Sequence, residues 1–380
     1  MKNTIFILVV TAILSVYGIA NYYIYIRGAE AFQITGTIRT IYTGVFIFLA
    51  ISFIASVFLE RADIVVIGRP LSWIGGFWLG AFVYFLLILG AIDFVRLINR
   101  FLQIFPGLII LPSTRYFHNT AVIAVIFVII LVVYGFVNSH IIRVRTIDIS
   151  IPKKVDKYTT LNIVAASDIH LSSIIGRNRI ESIVNKINSL SPDVVLLPGD
   201  ILDGDLNPVL HLNSGEALRK IHAPLGVYAV TGNHEYIGGV EKACKYISEH
   251  GIKILRDSGV FVDESFYIVG REDFSSRNRR SLSEIIKGID RKYPIILMDH
   301  QPFHLKEAIE NGIDIQISGH THYGQLWPFN YITRMVYELA YGYRKIGTTH
   351  FYVSSGAGTW GPPMRIFADP EIVQLRIRFM

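Results

Sequence analysis

LNIVAASDIH, Leu161–His170, is an aliphatic run that stops abruptly in a Ser-Asp-x-His turn. Apolar runs this short, closed by polar turns, read as buried strands. The pattern returns in DVVLLPG (Asp193–Gly199), GVYAVTG (Gly226–Gly232), PIILMD (Pro294–Asp299) and IDIQISG (Ile313–Gly319). Between the first two runs, Ile180, Ile183, Val184, Ile187 and Leu190 recur at helical spacing, which predicts an amphipathic helix. Further helices are expected at Gly215–Ile221, Gly239–His250, Ser281–Ile289 and Pro302–Asn311, with strands and hairpins over Lys253–Asp273 and His350–Arg378. Strands alternating with helices predict an α/β domain over residues 160–380.

Five strand ends share a property: each delivers metal-ligand residue types into the turn that follows. They are SDIH (Ser167–His170), GDILD (Gly199–Asp203), GNHE (Gly232–Glu235), DHQP (Asp299–Pro302) and GHTH (Gly319–His322). Ligands of open α/β sheets bind beyond the carboxyl ends of strands. Asp168, His170, Asp200, Asn233, His234, His300, His320 and His322 are therefore expected around one point. Imidazoles mixed with carboxylates suit Zn, Fe, Mn or Ni better than Ca or Mg, which prefer oxygen alone. Eight such residues exceed the needs of one ion, whereas two ions sharing a carboxylate would use them. In Asp-x-His and His-x-His, residues i and i+2 of an extended segment point the same way. The glycines before Asp200, Asn233 and His320 permit tight turns.

Each piece alone has a plainer reading. SDIH is an ordinary turn composition, Asn and Glu of GNHE can cap a helix, and a solitary His300 fits a core or surface position. Five such pieces, each placed at a strand end, are not explained by independent turns.

In order, the motifs resemble the signature of the calcineurin-like metallophosphoesterases: Asp-x-His, Gly-Asp-x-x-Asp, Gly-Asn-His-Asp/Glu, a lone His and Gly-His-x-His. The similarity spans about residues 160–378. The closing GTWGPPMRIFADPEI resembles the tail of a membrane-associated bacterial branch, which includes proteins similar to UDP-2,3-diacylglucosamine hydrolases. The resemblance implies a β-sandwich flanked by helices and a dinuclear centre of two divalent ions (Mn, Zn, Fe or Ni). By it, Asp168, His170 and His322 hold one ion, Asn233, His300 and His320 the other, and Asp200 bridges them. His234 is implied as proton donor or transition-state stabiliser, with Asp203 and Glu235 behind the ligands. Glu235 reads equally as a helix cap. The implied reaction is attack on a phosphoester or pyrophosphate by a hydroxide that bridges the ions.

The first 140 residues have a different texture. The chain has 51% hydrophobic residues and a mean hydropathy of +0.42, high for a water-soluble protein. Apolar runs at 4–22, 41–59, 71–92 and 121–137 predict four membrane-spanning helices. The first follows Lys2 as a signal peptide would, but it is long and lacks a small-x-small cleavage site before Tyr22, so it reads as an anchor. Asp93–Asn119, which mixes arginines, apolar residues and two prolines, is expected to lie along the interface or dip into it rather than span. Residues 141–159 are expected to form a juxtamembrane tether.

The net charge is +6, but residues 1–140 hold eight Lys/Arg against four Asp/Glu, so +4 belongs to the membrane region. No nucleic-acid partner is expected. Eight basic residues flank the side holding both chain ends and five the other, which favours a cytoplasmic catalytic domain in a multi-pass cell-membrane protein. Cys244 is the single cysteine and forms no internal disulfide.

Arg277, Arg279 and Arg280 could grip a phosphate, or form a solvated surface run. Asn330–Tyr343 is aromatic-rich and reads either as core or as a flap facing the membrane. The expected function is a membrane-anchored phosphoesterase acting on a lipid-linked or amphiphilic phosphate. Its alternatives are a phosphodiesterase for soluble nucleotides that is merely localised by its helices, and a non-catalytic receptor or scaffold. The last predicts a missing ligand, and all eight positions are filled.

Overall fold

The computed structural model describes residues 2–103 and 114–380. Contacts divide the chain into two units, Met1–Phe58 with Pro70–Tyr134, and Leu59–Arg69 with Gly135–Met380.

Among the described residues of the N-terminal region, four long apolar helices occur: α1 (Lys2–Ala31), α2 (Gly36–Arg61), α3 (Val65–Leu102) and α4 (Thr114–Ser139). Each is long and apolar enough to cross a bilayer. Within the first unit, Ile24, Phe46 and Trp78 are buried together, and Trp78 Nε1 donates to Asn21 Oδ1 at 3.1 Å. Asp93, expected to begin an interfacial segment, instead lies inside α3, which extends well beyond 71–92. It pairs there with Arg27 and Arg96 and accepts from the Tyr23 hydroxyl at 2.6 Å. Paired charges let the helix continue where lone ones would favour its end. The remainder of that expected segment includes 104–113, which lies outside the described residues.

The second unit holds β1 (Arg143–Ile151), β2 (Thr160–Ala165), α5 (Arg177–Asn188), β3 (Val194–Pro198), α6 (Asn207–His211) and β4 (Val227–Val230). Next come α7 (Asn233–Gly238), α8 (Val240–Glu249), β5 (Lys253–Ile254), β6 (Ser258–Val262), β7 (Phe266–Gly270), α9 (Leu282–Ile285) and β8 (Ile295–Met298). The chain closes with α10 (Leu305–Glu310), β9 (Ile315–Ser318), α11 (Phe329–Val336), β10 (Gly342–Ile346), β11 (Thr349–Val353) and β12 (Glu371–Phe379). Gly215–Lys220, expected as an α-helix, is a 3₁₀ helix.

The strands form two mixed six-stranded sheets, ordered β1-β12-β2-β3-β4-β5 and β10-β11-β9-β8-β7-β6. Alternation along each strand explains the layering. Leu161, Ile163 and Ala165 of β2 pack between the sheets with Ile268, Ile296, Ile317 and Leu375, whereas Val164 faces the helices beside Ile180, Ile183 and Ile187 of α5. Val269, Leu297 and Phe351 similarly back onto Leu305 and Ala308 of α10. Helices thus cover both outer faces, and the parallel strands are apolar on both sides, as their continuous runs require.

The expected tether is part of this fold. Arg143–Ile151 pairs in parallel with β12 along its whole length, and Ile149 and Ile151 are buried. Ile147, Ile149 and Ile151 alternate with polar residues, the signature of a strand with one wet face. The turn between α2 and α3 also belongs to this unit. Asp63 lies 2.8 Å from His211 Nε2, and Asn207 Nδ2 donates to the Glu60 carbonyl at 3.3 Å.

Candidate metal centre

All five motif segments follow the ends of β2, β3, β4, β8 and β9, and the structure brings their side chains together. Among the described residues, three clusters can each offer convergent ligand atoms: Asp168, His170 and His322; Asp200, His300 and His320; and His170, Asp203 and His234.

Convergence is produced differently from the extended geometry expected. Asp168, His170, Asp200, His320 and His322 all have left-handed backbone conformations, with φ between 46° and 69°. Non-glycine residues seldom adopt this region, and clusters of them mark functional sites whose surroundings impose the turn. Of the motif glycines only Gly199 has positive φ, at 85°. Gly232 and Gly319 provide room instead: a Cβ would fall 2.2 Å from Asp200 Oδ1 at one and 2.2 Å from Asp168 Oδ2 at the other.

In the first cluster, His170 Nε2 and His322 Nε2 approach to 3.0 Å, and Asp168 Oδ1 lies 3.5 Å from the latter. In the second, His300 Nε2 is 3.1 Å from Asp200 Oδ2, while His320 Nδ1 is 2.9 Å from Asn233 Oδ1. Asp200 Oδ2 is also 3.8 Å from His170 Nε2, so one carboxylate oxygen faces both clusters. Ring nitrogens and carboxylate oxygens at these separations match the edges of a coordination shell with bonds of about 2.0–2.2 Å. His300 supplies a direct test of fit: its Nδ1 is 2.8 Å from the Pro198 carbonyl, yet its buried Nε2 has no hydrogen-bond partner. An orphaned imidazole nitrogen beside a carboxylate is a ligand position. The residues present therefore fit metal ions.

The electrostatics agree. Burial raises the Asp168 carboxyl. Burial opposes ionisation of Asp200 too, but His300, His170 and His234 outweigh it and hold that group far below the usual carboxylate range. Burial likewise opposes charge on His300, and Asp200 overcomes it, so this imidazole is driven well upward. His320 is lowered to about 4 by burial and then by His300; His322 is pushed well down by burial, His170 and Arg365. His320 and His322 are thus held toward the neutral form, which ligates, while the carboxylates of Asp200 and Asp168 favour positive charge at His300, where a cation would satisfy them.

His234 sits beside the first cluster, its ring 4.7 Å from that of His170 and perpendicular to it. Asp203 Oδ1 lies 2.9 Å from His234 Nδ1 and 3.1 Å from His170 Nδ1, so one carboxylate orients both rings. Burial disfavours charge on His234, but Asp203, Asp200 and Glu235 raise it to about 9. Divalent cations at the neighbouring positions would push it back down.

Glu235 touches no imidazole in the positioning role considered for it. Its carboxylate accepts from the amides of Asp200 (3.1 Å), Ile201 (2.8 Å), Leu202 (3.0 Å) and Gly232 (2.7 Å). It caps α7 and clamps the Asp200 turn to it.

The three arginines diverge. Arg279 is largely buried over the Phe274 ring, 2.7 Å from Asp299 Oδ2, and donates to the Glu272 carbonyl. Arg280 donates to the Asp257 carbonyl (3.4 Å) and the Glu284 carbonyl (3.2 Å), and Arg277 is exposed. Arg279 and Arg280 hold the loop together through protein groups, and the loop is no simple solvated run. Two further histidines near the motifs stay outside the centre: His304 precedes α10 near Phe274, and His350 Nδ1 is 2.8 Å from the Tyr343 hydroxyl.

Several contributors escaped sequence reasoning. Arg365 is completely buried, donates to Gly358 O at 2.8 Å and places Nη2 3.2 Å from His322 Nδ1. Trp360 lies edge-on to His234 at 5.7 Å, held by Gln325, which bonds both its amide and its carbonyl. Arg271 joins Arg279 on Asp299, next to His300. Both Trp360 and Arg365 lie in GTWGPPMRIFADPEI, so the signal was present, but no local pattern says which of its residues return to the centre.

Fold and site define a metal-dependent phosphoric ester hydrolase, and comparison with known proteins agrees. The calcineurin-like phosphoesterase family profile matches residues 161–324. An uncharacterized metallophosphoesterase of Aquifex aeolicus is 31% identical over 257 residues, covering 66% of this chain and 97% of that protein. One of Campylobacter jejuni is 30% identical over 387 residues, 98% of this chain and 99% of the relative. A transmembrane protein with metallophosphoesterase domain from Danio rerio is 32% identical over 68% of this chain and 62% of its own length. The chain belongs to the calcineurin-like metallophosphoesterase family.

Proposed function

We propose that the chain is a membrane-anchored dinuclear phosphoesterase that hydrolyses an amphiphilic phosphoester or pyrophosphate. The observation that carries the dinuclear reading is the Asp200 carboxylate, whose Oδ2 faces His300 at 3.1 Å and His170 at 3.8 Å. Asp168, His170 and His322 would hold one ion and Asn233, His300 and His320 the other, with Asp200 shared. Bound there, divalent ions such as Mn, Zn, Fe or Ni would supply activated water and offset charge on the phosphoryl oxygens.

The remaining roles fall to the protein. Asp203 fixes the His234 ring through Nδ1 and leaves Nε2 to protonate or stabilise the leaving oxygen. Glu235 keeps the Asp200 turn rigid through four amide bonds. The His234–Trp360 contact puts apolar surface beside the proton donor, where the non-reacting part of a substrate can rest.

The amphiphilic substrate follows from the four apolar helices, since anchoring confines the search to a surface. The excess of basic residues on the flank holding the domain supports a cytoplasmic site. Metal analysis of the purified full chain, with a panel of lipid and nucleotide phosphoesters, tests these readings together. Turnover of lipid-linked substrates well above soluble nucleotides is expected; the reverse preference would sink the amphiphile reading and leave the hydrolase.

A further inference from the structure

Helix α11 is built inside out. A surface helix in water normally turns its apolar stripe inward, yet no residue of Phe329–Val336 is buried. Phe329, Ile332, Met335 and Val336 are all exposed, Met335 to 86%, and recur at helical spacing. The polar Asn330 and Thr333 are half-buried instead, and Arg334, itself exposed, is turned back onto the protein. Arg334 lies over the Tyr323 ring at 5.2 Å and donates to its hydroxyl, and just beyond the helix Tyr337 packs on Phe303 at 4.8 Å. Exposed Trp327 and Phe367 extend the apolar face, whereas Leu326 beside them is core.

The position of this helix in its unit indicates what covers it. Trp327, two residues before α11, donates its amide to the Ile366 carbonyl at 3.0 Å. The neighbouring Arg365 amide donates to Gly135 O at 2.9 Å, and Asn138 Nδ2 donates to Arg365 O at 3.1 Å. Gly135 and Asn138 lie in the last two turns of α4, the most apolar of the four candidate spans. The inverted helix is therefore tied, through a single stretch of chain, to the C-terminal end of a helix long and apolar enough to cross a bilayer. Exposed Tyr343, Arg344 and Lys345 on β10 add the aromatic and basic groups that favour a headgroup region.

We propose that α11 lies in the interface of the bilayer that α4 crosses, with its apolar stripe in the acyl boundary. It follows directly on the His320–Gln325 turn, and Thr321 Oγ1 donates to Ala340 O at 2.7 Å beyond it, so both ends of this segment are fastened at the ligand loop. Lipid contact thus holds the mouth of the centre against the membrane, where it receives phosphoesters whose apolar part stays in the bilayer. That last step rests on the phosphoesterase reading above; the lipid contact does not.

The test uses the full chain reconstituted in phosphatidylglycerol/phosphatidylcholine vesicles. Cys244, the single native cysteine, is buried, so Ile332→Cys or Met335→Cys adds one accessible thiol for an environment-sensitive fluorophore. Quenching by brominated lipids together with protection from aqueous iodide is expected at both positions. Iodide quenching without lipid quenching would overturn the proposal. So would protection from both that vanishes as protein is diluted in lipid, because that identifies a second copy as the cover. In an Ile332→Asp/Met335→Asp variant, hydrolysis of a vesicle-embedded phosphoester should fall at least tenfold relative to a water-soluble diester. An unchanged ratio would overturn the substrate step even where the fluorophores report lipid.

Discussion

His234 and the ligands around it make separable predictions. His234 is oriented by Asp203, so His234→Ala should lower turnover by about 10²–10⁴-fold while metal content stays at the wild-type level. Rate measurement paired with elemental analysis checks this, and unchanged turnover would remove the role given to His234. Gly319→Ala should act oppositely, on metal content first. Its Cβ would fall 2.2 Å from Asp168 Oδ2, and the carboxylate must leave its place; retention of full metal content would contradict the packing described. At this scale the sequence made placement legible wherever a residue type stood at a strand end, as for His320 and His322, which the fold brings into the two clusters. For Glu235 the cap of α7 was legible, but the clamp on the Asp200 turn was not, because the amides of Asp200, Ile201 and Leu202 are backbone partners that no composition encodes. Nor was the place of Arg365: an arginine in a C-terminal segment reads as surface until the chain returns and buries it against His322.

The elements show the same limit and its physical cause. Five buried strands were legible because parallel strands covered on both faces must be apolar throughout. The edge strand β1 was hidden by its own chemistry, since Arg143, Arg145 and Asp148 point into water and mask the alternation of Ile147, Ile149 and Ile151. A fragment starting at 141 should therefore fold cooperatively, whereas one starting at 160 should melt lower or aggregate. Burying Ile149 and Ile151 contributes about 1.5–3 kcal/mol each, and losing β1 also bares an edge of β12; equal melting temperatures would refute this role for β1. The left-handed turns are a second case. An extended reading correctly grouped Asp168 with His170, but their side chains converge through turns with φ of 52° and 53°. Replacing the clamp on one such turn, as Glu235→Ala, should cost at least about 2–3 kcal/mol by leaving buried amides unpaired, read from chemical denaturation of the same fragment starting at 141.

Across the whole molecule, the chain joins four helices fit for a bilayer to a hydrolase domain whose buried carboxylates lie among imidazoles, of which His320 and His322 are held toward the neutral form. The charge is informative mainly by its distribution: four of the six surplus positive charges lie in residues 1–140, with the four apolar helices. A dinuclear centre requires Asp200 to face two sets of ligands at once, and the metal content of the purified full chain tests that most directly. Two transition-metal ions per chain are predicted, with a loss of occupancy in Asp200→Asn that exceeds one ion because both sites share the carboxylate. A wild-type content of one ion or none after saturation with Mn or Zn, or an Asp200→Asn variant that keeps two, would contradict it.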